Sequence, residues 1–359
     1  MFFFTRSFGV TFSDADRNLA GEKADIEEIT RRSLLLQANS AAKQHRPLAR
    51  GTHAKGVCAR AQFEVFNVAE GRDPVLAVRL AKGIFAKPGV YPATVRFGNA
   101  DPKRNSDFKA DVRSLSFSVD LPREGTVVPE ASTGRQDFSM QNTTTLPIND
   151  SPAFLAIMKL LTASNPAAGL LSLSSKDKLR VIRTLAMVQV QSHQAIKPYQ
   201  QLRYGSNVPF RHGPDDVVKY SATPSSGNLA KPLQKSNPNG LQDELIRHMQ
   251  EDSKMSSFDF GVQFLDTERM TYRGKHYDAS FWIENASVEW KESEAPFHNV
   301  ARLTLLRSSH LGPEEAKAVY FDVTENSSSD STPVGSINRA RSPAEKASRK
   351  ARMAPTQQV

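Results

Sequence analysis

The hydrophobic positions of this chain follow a helical spacing at first and then alternate with polar ones. Residues 22–44 begin with Ile26 and Ile29 at a helical interval, with acidic side chains early and basic ones later, as the helix dipole favours. From about residue 50 to 122, short runs rich in β-forming residues are separated by proline and glycine. The pattern therefore predicts a helix followed by several strands.

Alternation is strictest in the segment VRSLSFSVDL, residues 112–121. Its apolar side chains share one face with Arg113, and three serines occupy the other face. A guanidinium in phase with an apolar face needs an anion, because an unpaired buried charge is costly. That anion is either a protein carboxylate, for which Asp107 and Asp111 are close in the sequence, or a carboxylate of a ligand.

Helical spacing returns at about 151–195, and the stretch 196–239 is rich in proline, glycine, serine and asparagine. A further helix, LQDELIRHMQEDS, precedes three segments that we interpret as strands, FDFGVQFLD, ASFWIENASVEW and HNVARLTLLR. Strands first and last, with helices inserted and at the ends, predict an α+β fold around a mostly antiparallel sheet or barrel. A single domain is preferred, because a division would have to fall within 196–239.

Composition is that of an ordinary globular protein, with 39% hydrophobic and 24% charged residues in a chain of 359. No apolar run approaches the roughly 20 residues of a membrane helix, so we expect no membrane span. The opening MFFFTRSFGVTF does not resemble a secretory signal. The single cysteine, Cys58, cannot form an intrachain disulfide and suits a reducing compartment. We therefore expect a cytoplasmic protein.

The net charge of +9 raises the question of nucleic acid. Much of this charge lies in the C-terminal segment INRARSPAEKASRKARMAP, and no helix-turn-helix, zinc-finger or RNA-binding motif accompanies it. We therefore expect a solvated basic tail and no nucleic-acid partner.

The segment RGTHAKGVCARAQFEV places a histidine before a strand pattern. His53 has the same parity as Val57 and Phe63, so an extended chain would direct its imidazole toward the interior. A cavity lined by His53 and Arg113 would suit a ligand. A hydrogen-bonded core histidine and an internal ion pair would explain the same residues, and spacing does not decide between these alternatives.

Four ordered segments between residues 50 and 154 resemble the haem catalases. RGTHAKGVCARAQFEV is similar to their distal segment, which has arginine, two residues, then histidine-alanine-basic-glycine, and ends in phenylalanine-glutamate-valine. TVRFGN and DVRSLSFSVD resemble two catalase strands that follow. QDFSMQNTTTLPINDSPAF is similar to the segment that carries the distal asparagine.

The resemblance implies a role for each matching residue. His53 would be the distal base, and Asn142 its polar partner above the haem iron. Arg50 and Arg113 would pair with the haem propionates, and Phe154 would pack on the porphyrin edge. These assignments come from the resemblance alone.

The C-terminal segment PVGSINRARSPAEKASRKAR is similar to the end of shorter bacterial and fungal relatives of catalase. Arg341 matches the arginine that, in those relatives, holds the iron-ligating tyrosinate charged, but Glu345 occupies the tyrosine position. Three alternatives follow: haem held by Glu345 or by another residue such as His298, His310 or Tyr320, haem without strong ligation, or a catalase-shaped protein without haem. Glu345 facing solvent is a fourth reading, so the metal ligand stays open.

The resemblance thus implies a catalase-like antiparallel β-barrel with inserted and flanking helices, and a haem oxidoreductase that decomposes or transforms hydrogen peroxide or organic hydroperoxides. The alternatives are a haem-free or inactive binding protein and a fatty-acid hydroperoxide enzyme of the allene oxide synthase type. We expect a helical arm at 1–48, a catalase-like core at 49–324, and a loop with the basic tail and proximal segment at 325–359. The oligomeric state stays open.

Overall fold

The computed structural model describes residues 21–122 and 133–354. The strands are β1 Gly56–Val65, β2 Gly89–Asn99, β3 Arg113–Asp120, β4 Arg135–Gln141, β5 Tyr204–Gly205, β6 Phe210–His212, β7 Asp216–Pro224, β8 Ser257–Phe264 and β9 Phe297–His310. The helices are α1 Glu22–Lys43, α2 Pro74–Leu80, α3 Ser151–Leu161, α4 Pro166–Leu171, α5 Ser175–Ser192, α6 Gly240–Glu251, α7 Ala279–Glu284, α8 Pro313–Ala318 and α9 Ser336–Met353.

Eight of these strands form a closed antiparallel barrel. The order is β5-β4-β3-β2-β1-β9-β8-β7, and β5 pairs with both β4 and β7, which closes the ring. Strand β6 pairs with β7 outside the ring. The predicted fold class, α+β with an antiparallel barrel and inserted and flanking helices, is confirmed.

Aromatic side chains fill the barrel. Phe138 lies 4.8 Å from Phe117 and 4.9 Å from Phe260 between ring centroids, and Phe63 lies 5.4 Å from Phe260. These residues are fully buried. Along β1, the inward residues are buried and several outward ones are exposed, as the alternation predicts. The barrel is therefore a packed core, and a ligand site must lie outside it.

Three helices cover the outer face of β2, β3 and β4. Helix α1 packs on α3 and on α9, and the contact buries Ile29, Leu155, Ala340 and Ala344 together. Helix α1 confirms the predicted helix at 22–44, and α3, α4 and α5 confirm the helical region at 151–195. Ser114 and Ser118 of β3 are buried although they point outward. Ser114 donates a hydrogen bond to the carbonyl of Gly98, and Ser118 accepts one from Arg135.

The basic C-terminal segment differs from the expectation. It forms α9 and is not a solvated tail, because Ile337, Ala340 and Ala344 make an apolar stripe at helical spacing. Arg339 of this helix pairs with Glu22 of α1 at 3.0 Å and with Glu284 at 3.1 Å. The many basic residues of this segment led to the prediction of a solvated tail, although the apolar stripe is present in the sequence.

The segment ASFWIENASVEW also differs, because it begins with a helix where we expected a strand. Helix α7 starts after Asp278, whose side chain accepts a hydrogen bond from the backbone N–H of Phe281 at 2.9 Å. Trp282 and Trp290 then pack in a second apolar cluster outside the barrel. Short aromatic runs suit either structure, and the N-cap decides here.

None of the helices in the described ranges is long and apolar enough to cross a membrane.

The division of the chain into an arm at 1–48, a core at 49–324 and a C-terminal segment at 325–359 stays a prediction.

Candidate functional site

A cavity lies between the outer face of the barrel and the helices that cover it. Its floor is formed by Arg96 of β2, Ser116 of β3 and Ser139 of β4, which are cross-strand neighbours. Helices α1, α3 and α9 and residues 320–323 form the other walls. The cavity measures about 210 Å³. A water needs about 10–15 Å³, so an organic ligand has room here. We call it the His53 cavity, after the histidine that lines it.

His53 enters the cavity from a strained turn before β1. Its φ of 54° is left-handed, so the chain is not extended there as the parity argument assumed. The imidazole therefore lines a cavity outside the barrel, whereas Val57 and Phe63 point into the barrel core. Its Nε2 is buried and has no hydrogen-bond partner among the described residues. Burial and the charges of Arg96 and Arg50 lower the pKa of His53 to about 3, so the ring is neutral.

Arg96 is held beside His53 by a local feature of the sequence. It lies on the outer face of β2 and donates a hydrogen bond to the His53 carbonyl at 2.7 Å. Gly56 and Gly98 are cross-strand partners, and a Cβ on either would lie within 2.8 Å of the Arg96 guanidinium. Two facing glycines thus make the space that this arginine occupies.

Three arginines meet at one end of the His53 cavity. Burial and the neighbouring charges of Arg96 and Arg352 lower the pKa of Arg50 to about 9. Arg50 donates to the carbonyl of Val319, and Arg352 to that of Lys317. Within the described part of the chain, none of the three pairs with a carboxylate within 4.0 Å. This end of the cavity is therefore suited to an anionic group of a ligand.

Arg341 and Glu345 lie one turn apart on α9 and face the cavity. Burial raises the pKa of the Glu345 carboxyl to about 7; Asp322 and Asp137 raise it further, against the opposing charge of Arg341. Part of the Glu345 side chain is exposed, and Glu345 is one of the residues that line the cavity. Nε and one Nη of Arg341 are buried without a hydrogen-bond partner in the described ranges. Two polar groups of α9 are thus available to a ligand.

Apolar side chains complete the walls. Phe154 and Met158 of α3, Leu36 of α1 and Val323 line the same cavity. The site therefore combines a cationic end with apolar walls and a neutral base, which suits a largely apolar ligand that carries acidic groups.

Asn142 and Arg113 are placed elsewhere. Asn142 lines a second cavity, and its side-chain oxygen accepts from the backbone N–H of Arg113 at 2.7 Å. The Arg113 guanidinium donates to the carbonyls of Asp107 and Lys109 and lies 3.8 Å from Asp111. The loop before β3 folds back over this arginine and supplies its partners. Neither residue lines the His53 cavity, and the roles that the resemblance implies for them stay predictions.

The structure brings together five of the seven residues singled out from the sequence and adds two more. Arg50, His53, Phe154, Arg341 and Glu345 line one cavity. The additions are Arg96 and Arg352. In the segment TVRFGN, Arg96 lies on the opposite face of the strand from Val95 and Phe97. This alternation was the only feature of the sequence that placed Arg96 outside the barrel. Arg352 lies two turns after Glu345 and becomes visible only once the tail is recognised as a helix.

Of the alternative iron ligands considered, Tyr320 lines the His53 cavity, and His298 and His310 do not. The Tyr320 ring lies between Arg135 and Arg349, at 5.0 and 4.2 Å from its centroid. Among the described residues, no group of three or more His, Cys, Asp or Glu side chains is arranged to hold a metal ion.

Solved structures resemble this chain over most of its length. A fungal catalase aligns with 89% of it at 15% identity and a TM-score of 0.61. The chain has the catalase fold. Catalase A from Saccharomyces cerevisiae covers 88% at 16% identity and a TM-score of 0.60, and a bacterial catalase covers 91% at 15% identity and 0.55.

The chain spans 63% of the length of each of these catalases. No family model matches its sequence, and no curated protein matches it significantly. At this identity the similarity establishes the catalase-like barrel and leaves cofactor and activity to the chemistry of the site.

Proposed function

We propose that this chain is a haem protein that acts on hydroperoxides, with the His53 cavity as the haem site. One observation carries the proposal: a neutral histidine with an unpartnered Nε2 and three arginines without carboxylate partners line one cavity on the outside of a catalase-like barrel.

Haem needs partners for its propionates, its macrocycle and its iron. The residues of the cavity suit the first two. Haem carries two propionates, and Arg50, Arg96 and Arg352 supply the cationic end that these need. Phe154 and Met158 supply apolar contact for the macrocycle. The partner for the iron would come from α9, where the resemblance places tyrosine and this chain has Glu345. A carboxyl whose pKa is about 7 is a weaker donor to iron than a tyrosinate.

When bound, haem would supply a redox-active iron. The protein's own contribution is proton transfer. His53 Nε2 accepts the proton of an incoming hydroperoxide and returns it to the departing oxygen, a role worth about 10² to 10⁴ in rate. The pKa of about 3 keeps the His53 ring uncharged throughout the neutral range, and it also makes the ring a weaker base than an ordinary histidine.

Haem titration tests the site. Arg50→Ala and Arg352→Ala each remove a charge-assisted hydrogen bond, so each should weaken haem binding about tenfold to a hundredfold. Arg269→Ala removes an exposed arginine remote from the cavity and should leave the affinity unchanged. Equal affinity in all four proteins would show that haem, if bound, is held elsewhere.

Glu345 favours a second candidate, a haem-free member of the fold that binds another apolar anion in the same cavity. In that case the protein takes up no haem when haem is supplied in excess. Hydrogen peroxide and a fatty-acid hydroperoxide should be compared as substrates of the haem-loaded protein, because the resemblance admits both.

A further inference from the structure

Helix α5 presents an apolar stripe away from the protein. The stripe consists of Leu179, Ile182, Ala186 and Val190, which follow one another at helical spacing. Leu179 is 69% exposed, Ile182 59% and Val190 75%. The buried residues of α5, Val181 and Thr184, lie away from the stripe, and Leu185 and Val188 outside the stripe are less exposed than its members, at 44% and 39%. We call Leu179, Ile182, Ala186 and Val190 the α5 stripe.

Buried contacts on the other side of α5 hold the helix on the protein, and the α5 stripe takes no part in them. Val181 lies in a cluster with Ala156 and Ile157 of α3, and Thr184 is also buried. Leu171, just before α5, is 76% exposed and extends the apolar surface. Large contiguous apolar surfaces on a soluble protein mark interaction sites, so the α5 stripe calls for a partner.

The charges beside the stripe are basic. Lys176 falls on one edge of the stripe and Lys178 on the other, by the 100° rotation per residue of an α-helix. Arg183, next to Lys176 on the wheel, donates a hydrogen bond to Ser287 at 3.1 Å. Asp177, the single acidic residue of α5, pairs with Arg180 at 2.8 Å. Lys176 and Lys178 have no carboxylate partner among the described residues. The stripe therefore has cationic borders.

We propose that α5 docks this protein on an anionic membrane surface. The α5 stripe enters the boundary between headgroups and acyl chains, and Lys176 and Lys178 lie at the depth of the lipid phosphates. This inference does not depend on what the His53 cavity binds.

Charge and shape favour this partner over the others. A second copy packed parallel to α5 would bring the same basic residues together, which is repulsive, whereas an anionic lipid surface attracts them. Protein partners prefer aromatic and arginine anchors in pockets, whereas the α5 stripe is aliphatic and lies on a convex helix. A basic helix with an exposed apolar face is typical of proteins that lie on membranes.

Vesicle flotation tests the proposal. The full chain should float with equimolar phosphatidylcholine–phosphatidylserine vesicles and much less with phosphatidylcholine alone. Each base near an anionic surface contributes about fivefold to partitioning, so Lys176→Gln with Lys178→Gln should reduce binding about 25-fold. Leu179→Ser with Ile182→Ser should abolish it. Val75→Ser with Val78→Ser, on exposed positions of α2, is the matched control and should bind like the native chain.

Two results would overturn the proposal. One is that the native chain does not float with the anionic vesicles, or that the α5 variants float as well as the control. The other is a dimer in solution that Leu179→Ser with Ile182→Ser dissociates, since the stripe would then belong to a second copy. Thermal melting of each variant verifies that it is folded before the comparison is made.

Discussion

His53 carries the chemistry of the site at the scale of a single residue. Its Nε2 is buried, unpartnered and uncharged, and it lines the cavity. His53→Ala should lower hydroperoxide turnover of the haem-loaded protein by about 10² to 10⁴ while haem content stays the same. An unchanged rate would contradict the role, and His298→Ala, outside the cavity, serves as the control.

Glu345 makes the stability of the protein depend on pH. Burial raises its pKa to about 7 from an ordinary 4.5, so the folded state holds the proton more tightly than the unfolded state. The stabilisation is complete below pH 4.5 and is lost as pH rises through about 7.

Glu345→Gln removes this dependence. Its melting temperature should exceed that of the native chain at about pH 8 and match it at about pH 4. Glu314→Gln, on an exposed helix, should change neither value. A melting difference for Glu345→Gln that does not vary with pH would show that the carboxyl is not titrating in the cavity.

Site residues that are close in the sequence line the same cavity. Arg50 and His53 lie three residues apart, and Arg341 and Glu345 one helical turn apart, so each pair reaches the His53 cavity together. Arg113 lies outside it, because the loop between β2 and β3 supplies its hydrogen-bond partners, and the alternation of hydrophobic and polar residues does not predict the path of a loop. Asn142, which accepts a hydrogen bond from Arg113, also lies outside this cavity.

At the scale of elements, the contact between α1 and α9 closes the cavity. Ile29 of α1 is fully buried there among Leu155, Ala340 and Ala344. Ile29→Ala should destabilise the protein by about 2–5 kcal/mol, measured by denaturant unfolding. Leu35→Ala, on the same helix at a position that is 38% exposed, should cost much less. Equal losses would mean that α1 does not pack as described.

Periodicity predicted most of the elements, and it did so where a segment is long and has one exposed face. Helix α1 and strand β1 are examples. It missed strand β7, Asp216–Pro224, because the proline, glycine, serine and asparagine content of residues 196–239 indicates a long loop. It also failed at residues 279–290, where a short aromatic run bridges a helix and a loop, and at α9, where basic residues surround a narrow apolar stripe. The hydrogen bond from Phe281 to Asp278 and the packing on α1 decided the last two cases.

At the scale of the molecule, the sequence indicated an antiparallel sheet or barrel and did not decide between them. Closure depends on β5, a strand of two residues, Tyr204–Gly205, that pairs with both β4 and β7. No pattern of two residues predicts such long-range pairing. The position of the His53 cavity, between a closed barrel and three helices, follows only from the complete fold.

The visible spectrum of the protein purified after expression with ample haem tests the central claim most directly. The proposal predicts a Soret band with haem bound to the full chain, weakened in Arg50→Ala and retained in His53→Ala. It also predicts that Glu345→Tyr shifts the band, because a tyrosinate at this position would be a stronger donor to a haem iron than a carboxyl. A purified protein without Soret absorbance, which also gains none on addition of haem, would contradict the account.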